Sequence, residues 1–491
     1  MAHVAARPDV LTLDNFIGGR WVRAQTTDFF DVHNPALGEV IGRTPLSSAA
    51  DVDAAVQAAS RAFPEWRDTP VSARAQVLYR FKALLEQHFA DLARTVTTEH
   101  GKTLDEARGS VRRGIECVEV ACGAPSLMQG SALEDIAAGI DCHVVRQPLG
   151  VCAAIAPFNF PAMVPMWFLP FAIVSGNTLV LKPSEQVPLS QRKMVDLLQQ
   201  CDLPPGVVNL VNGGSAVVDA ICDHPDVRAV SFVGSTPVAR HVYQRATHAG
   251  KRVQALGGAK NFVIVMPDAN FDKSIGAISE SFYGCAGERC LAGSMLVPVG
   301  AAHREARDRL VASARALKVG DGSQPDVTMG PVISARHRDR VVQYIDMGVA
   351  EGALLLVDGR TARVDDRPNG YFVGPTVFDQ VSPSMAIGRE EIFGPVASIC
   401  PVNTLDEAIA LMRTHPNANA TSIFTSSGKA AREFSKHATA SMVGVNIGVA
   451  APMAYFPFGG ARDSFFGDLK VHGRDAFEFY TDKKVTISRW F

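Results

Sequence analysis

Phe282 to Ser294 read FYGCAGERCLAGS, a run in which Cys290 lies among small residues and directly follows Arg289. Small neighbours let a substrate reach the sulfur, and an adjacent cation favours the thiolate, which is the nucleophilic form. The alternative is an inert buried cysteine acting as a small apolar residue. Cys285 fits that alternative better. Other segments hold groups that such a nucleophile would need. In APFNFP, Ala156–Pro161, Asn159 stands between prolines where a strand should end. It is either a fixed amide donor for an oxyanion or simple turn chemistry. In LKPSE, Leu181–Glu185, Lys182 and Glu185 follow an apolar run. They could hold ribose hydroxyls, with the carboxylate disfavouring a 2′-phosphate, or form a solvated loop edge. In SFVGSTPVAR, Thr236 reads as an N-cap with Pro237 at the first helical position, leaving free N–H groups for a pyrophosphate. The segment EEIFGPV, Glu390–Val396, offers an acid and an aromatic for a nicotinamide ribose and ring. The usual GxGxxG dinucleotide fingerprint is absent.

These groups need a scaffold. A chain of 491 residues, 47% hydrophobic and 20% charged, predicts two or three soluble globular domains. Its net charge of −2 gives no reason to expect nucleic acid or an anionic membrane as partner. Nine cysteines without a CxxC pair suit a reducing, cytoplasmic compartment, and no metal site is expected. The start, MAHVAARPDVLTLDNF, lacks an apolar core of signal-peptide length. Residues 51–118 carry helical patterns, one opening at Ser48 to Asp51. Short apolar runs then alternate with helical segments: GVCAAIAP, NTLVLKP, VVNLVNG and AVSFVGS, followed by a second alternating section from FVIVMPDAN to SMVGVN. Alternation of this kind implies an α/β, doubly wound parallel sheet with its ligand beyond the strands' C-terminal ends. The stretch from Gln147 to Lys182 is charge-free until its lysine and long enough to span a bilayer. Its five prolines argue instead for a buried strand–loop–helix–strand passage. The tail, DAFEFYTDKKVTISRWF, reads as a strand needing a partner.

The order APFNFP, LKPSE, FVGST, LGGAKN, GERC, EIFGPV and PFGG resembles the aldehyde dehydrogenase superfamily from about residue 14 to the end. The resemblance implies an NAD-binding domain (residues 1–124 and 144–255), a catalytic α/β domain (256–455) and small β segments for oligomerisation (125–143 and 475–491). It implies a homodimer or a homotetramer built as a dimer of dimers. It also implies Cys290 as nucleophile, Asn159 and the Cys290 N–H as oxyanion hole, and Phe158, Lys182, Glu185, Ser235, Glu391 and Phe393 as NAD contacts.

The chain departs from the superfamily in one place that bears on its reaction. Most members carry a glutamate before LGG as general base for water; here that position is Ala255. Without such a base, water attack on an acyl-enzyme should slow by roughly 10²–10⁴-fold. A thiol such as coenzyme A needs less help. The segment around Arg113, with GAKN and GERC, is similar to the coenzyme A-acylating methylmalonate-semialdehyde dehydrogenases, which also act on malonate semialdehyde. That likeness implies Arg113 and Arg289 as holders of a substrate carboxylate, which two guanidinium forks can grip. Arg289 could instead serve only to lower the thiol pKa, and Arg112 reads as a surface residue. The expected reaction is NAD-dependent oxidative decarboxylation with acyl transfer to coenzyme A. The alternatives are a hydrolytic dehydrogenase of another acidic semialdehyde, such as succinate semialdehyde, and a non-catalytic relative that kept the fold.

Overall fold

Two parallel sheets result from the alternation of apolar runs with helices. They belong to a computed structural model that describes residues 10–491, so the first part of the N-terminal stretch read above lies outside the described residues. The eight-stranded sheet has a parallel centre. Val151–Ile155 pairs on one side with Thr178–Lys182, which pairs with Val208–Leu210. On its other side lies Val227–Val233, followed by Arg252–Leu256. The chain therefore reverses its direction of winding between Val151–Ile155 and Val227–Val233. Such a switch point opens a crevice beyond the strands' C-terminal ends. Antiparallel strands close both edges.

The charge-free passage folds into the centre of this sheet. Its two strands and the helix Pro165–Val174 are buried at every position. Among the described residues no helix is long and apolar enough to cross a membrane. Upstream, the helix Ala49–Asp68 opens with a capping box between Ser48 and Asp51, where two orphan backbone groups are satisfied reciprocally. The helix Leu104–Cys122 opens the same way on Thr103 and Glu106.

The seven-stranded sheet is built around Asn261–Val265, flanked by Gly293–Pro298 and Ala420–Phe424. Its strands are parallel except Leu354–Val357 at one edge. A separate antiparallel sheet joins Ser131–Ala137, Ile140–Pro148 and Thr481–Arg489. The tail corrects the reading above. Only its second half is strand; Asp475–Tyr480 completes the helix Gly473–Tyr480. Buried Ala476, Phe477, Phe479 and Tyr480 repeat at helical spacing, and Phe477 packs edge-on against Phe171, 5.4 Å between ring centroids. Aromatic content suggested a strand, but tertiary packing decided for a helix. All nine cysteines are free, and no cluster suited to a metal ion occurs among the described residues.

Candidate active site

The loop that carries Cys290 leaves the helix Phe271–Tyr283 through an unusually tight turn. Cys285 and Ala286 both have φ 52°, and Gly287 has φ 74°. Side-chain-bearing residues rarely adopt that left-handed region, and when they do it is often at functional sites. At Gly287 no side chain would fit, since a Cβ would come within 2.2 Å of the Gly394 carbonyl oxygen. The loop thus lies directly on the EIFGPV segment. Cys290 is then pinned through its own carbonyl, which accepts from Asn261 Nδ2 at 2.9 Å and Asn419 Nδ2 at 2.8 Å.

Cys290 lines a cavity of about 660 Å³. Phe160, Met163, Trp167, Leu291 and Phe458 form its apolar part. Both arginines singled out from the sequence line it too, although Arg113 and Arg289 stand 176 positions apart in the chain (289 minus 113). The Arg289 guanidinium turns away from Cys290. Its Nε donates to Cys285 Sγ at 3.3 Å, Nη1 pairs with Glu280 at 2.8 Å, and Nη2 approaches Glu106 at 3.5 Å. Arg113 pairs with Glu116 at 3.0 Å and donates to the Ala451 and Pro452 carbonyls at 3.2 and 2.9 Å. Arg112 faces outward onto Glu86.

This arrangement bears on the thiol. Burial, and next the negative charge of Glu391, push Cys290 up to about 12, and Arg289 offsets this least of all the contributors. A guanidinium engaged elsewhere does little for the thiolate. Cys285 is buried as expected, and burial raises its thiol despite Arg289 and Lys102 beside it.

Asn159 is held rigidly beside the same loop. Its Nδ2 donates to the Glu288 carbonyl at 3.0 Å, and its own carbonyl accepts from Lys102 Nζ at 2.6 Å. Phe158, one residue earlier, stands edge-on to Phe393 with centroids 5.8 Å apart. Phe393 itself has φ 60°, and its carbonyl oxygen lies 2.7 Å from His337 Nε2. Glu391 accepts from the Ala259 N–H at 2.8 Å and is raised to about 7 by burial. It needs Gly258: a Cβ there would meet Glu391 Oε2 at 2.3 Å.

At the neighbouring strand ends, Lys182 pairs with Glu185 at 3.0 Å. The helix Thr236–His248 starts one residue earlier than its sequence suggested. Ser235 is the N-cap and Thr236 the first helical residue, with Pro237 second; no side chain caps the helix. The reason is tertiary: the Thr236 hydroxyl accepts from Gly258 N–H at 2.9 Å and so is not free to cap. The first-turn N–H groups stay available to an anion. Phe158, Lys182 and Ser235 therefore follow three adjacent parallel strands at the switch point.

Several residues here escaped the sequence reading. His100 and Glu288 are fully buried 3.8 Å apart, His100 stacked on Phe158, and burial pulls the His100 imidazole well down and raises the Glu288 carboxyl. His472 lines the cavity, pulled down to about 3 by burial and by Arg113. Glu106 was missed as well, and the one local signal it carries is its capping-box spacing from Thr103. No local spacing announces contacts made across the fold.

The chain matches the model of the aldehyde dehydrogenase family over residues 21–486 and belongs to that family. Among curated relatives, malonate-semialdehyde dehydrogenase 1 of Geobacillus kaustophilus is 50% identical, covering 99% of each chain. A solved chain from Sinorhizobium meliloti 1021, described as a methylmalonate-semialdehyde dehydrogenase and complexed with NAD, is 43% identical and superposes with TM-score 0.97 over 99% of both chains. Methylmalonate-semialdehyde dehydrogenase from Oceanimonas doudoroffii is 46% identical, with TM-score 0.96 over 98% of each.

Proposed function

We propose that this enzyme oxidises malonate or methylmalonate semialdehyde with NAD, releases CO₂, and hands the remaining acyl group from Cys290 to coenzyme A. The observation that carries this reading is the meeting of Arg113 and Arg289 with Cys290 on one cavity. A thiol and two guanidiniums in one enclosure suit a short aldehyde bearing a carboxylate. The names of the relatives point to the same substrate class.

The strand-end residues fit NAD. The uncapped helix at Ser235 suits a pyrophosphate, the Lys182–Glu185 pair a ribose diol, and Glu391 with Phe393 the nicotinamide end. The chemistry supplied by bound NAD is acceptance of a hydride at its nicotinamide ring. The chain's own groups do the rest. Cys290 Sγ loses its proton to solvent and attacks the aldehyde carbon as thiolate, and Asn159 Nδ2 with the Cys290 N–H stabilises the oxyanion. After oxidation Cys290 carries a thioester whose β-carboxylate leaves as CO₂, its electrons passing to an enolate that is then protonated. The thiol of coenzyme A attacks the carbonyl and Cys290 Sγ departs. Ala255 offers no base to favour water over that thiol.

Incubation with NAD and either semialdehyde, with and without coenzyme A, tests this. Acetyl-CoA or propionyl-CoA with CO₂, formed only when coenzyme A is present, is expected. Free acid released equally fast without it would instead favour the hydrolytic alternative.

The exposed sheet of Ser131–Ala137, Ile140–Pro148 and Thr481–Arg489 suits subunit contact in a homotetramer or dimer. Leu133, Ile136, Val145, Val485 and Ile487 lie open on it, and an uncovered apolar sheet of this kind invites pairing. The segments 1–124 and 144–255 would then carry NAD, and 256–455 the thiol chemistry. Glutamate or lysine at Val485 and Ile487 should lower the mass found by light scattering.

A further inference from the structure

The cavity that would receive an anion is lined by more acid than base. Asp105, Glu106, Glu116 and Glu280 line it against Arg113 and Arg289. Of these acids Glu106 is built in most firmly. Its Oε2 accepts the Thr103 N–H at 2.9 Å, and its Oε1 accepts the Cys285 N–H at 2.5 Å. One backbone donor from its own helix cap and one from a distant segment leave this carboxylate no freedom to swing out. Its Oε1 also faces Arg289 Nη2 at 3.5 Å, and both side chains are almost buried, 11% and 14% exposed. That contact is the longest of the four that hold the guanidinium, the others being to Cys285 Sγ, the Glu280 carboxylate and the Glu280 carbonyl. Glu280, on the other arm, is 59% exposed, so water screens it. Gly284 completes the cradle: a Cβ there would strike Arg289 Cζ and Nη1 at 2.4 Å.

We propose that Glu106 is a specificity-determining residue, a fixed counter-charge at Arg289 against which a substrate carboxylate must compete. It sets how strongly the site prefers carboxylated over uncharged aldehydes, a role that rests on the reading of Arg289 given above. The Nη2 arm is least committed, and it is the arm an incoming carboxylate would take. A fixed negative charge beside it in a poorly solvated enclosure limits anion affinity. Arg289 in turn is held in place between uses.

The readout is the ratio of kcat/KM for malonate semialdehyde to that for propanal. Glu106→Gln removes the charge and keeps an acceptor for the helix cap, and should raise the ratio about fivefold. Glu106→Asp keeps both cap bonds, as Asp51 does in its own box. Being shorter, it should raise the ratio by about twofold, and it covers the case in which Glu106→Gln does not fold. A purely structural role would lower both kcat/KM values together and leave the ratio unmoved, which overturns the proposal. In an Arg289→Gln background the Glu106 effect should vanish. If Arg289→Gln alone leaves the ratio unchanged, the carboxylate anchor itself is wrong and the proposal falls with it. A drop with Arg289→Gln but no rise with either Glu106 variant removes the proposal alone.

Discussion

On the proposed dinucleotide side, Lys182 ends one parallel strand and Phe158 and Ser235 stand just beyond the ends of the two neighbouring ones, and the ion pair there is local, Lys182 with Glu185 three residues on. On the proposed substrate side, local pairs such as Arg113 with Glu116 are joined by contacts that span the chain, Arg289 with Glu106 and Arg113 with the Pro452 carbonyl. One side is fixed by regular structure, the other by counter-charges. A regular sheet presents its strand ends wherever the alternation of runs puts them, so side chains there need little further support. A pocket that carries cations must hold each in place with an acid. The substrate side should therefore respond to charge changes and the dinucleotide side to steric ones.

The largest effect should come where the two sides meet. Cys290→Ser should cut NADH formation by more than about 10⁴-fold, since a serine hydroxyl without a base is a far poorer nucleophile. Stopped-flow absorbance at 340 nm would register any remaining burst, and a burst of ordinary size would remove Cys290 from its role. In the unaltered enzyme, burial keeps the thiol protonated, with a pKa of about 12. The thiolate fraction then rises about tenfold per pH unit below that value. Iodoacetamide inactivation should accelerate steadily from pH 6 to 9. A plateau near pH 7 would mean that Arg289 governs the thiol after all.

Arg289→Gln probes the charge-built side. It should raise KM for a carboxylated semialdehyde by about 10²-fold, because a charged hydrogen-bond partner is lost, while propanal is affected several times less. Equal losses for both aldehydes would break the proposed division of labour. Gly258→Ala probes the steric side. The new Cβ would force Glu391 off the Ala259 N–H, and KM for NAD should rise by about tenfold with little change in the aldehyde KM. Titration of NAD at saturating aldehyde separates the two.

The same contrast governs what could be read from sequence. The alternating sheet was legible because it follows from spacing within about ten residues, and Cys290, Lys182 and Glu185 stood out for the same reason. Arg113 entered only through family likeness, since nothing in VRRGIECVEV points at a cysteine far downstream. Glu106, His100 and His472 were missed because their meaning lies in what the fold brings against them. The helical half of the tail was misread for the same reason: Phe477 finds Phe171 only in three dimensions. The helix start at Ser235 slipped by one residue because Gly258 occupies the Thr236 hydroxyl.

The smallest effect tests whether position, rather than charge alone, makes the substrate side. Arg112 adjoins Arg113 in sequence and carries the same charge. Yet its side chain is 43% exposed and bidentate on Glu86, outside the cavity. A charge that far into solvent is screened, and its ion pair contributes at most about 1 kcal/mol to folding. Arg112→Ala should therefore change KM for the carboxylated aldehyde by less than about twofold, whereas Arg113→Ala, one residue on, should raise it about tenfold or more. Steady-state kinetics of the two variants side by side would decide. If both variants weakened substrate equally, the effect would be a general attraction of the helix for anions. The contacts that orient Arg113, from Glu116 and the Ala451 and Pro452 carbonyls, would then be irrelevant to recognition. A clear separation would tie recognition to the guanidinium that the fold turns inward.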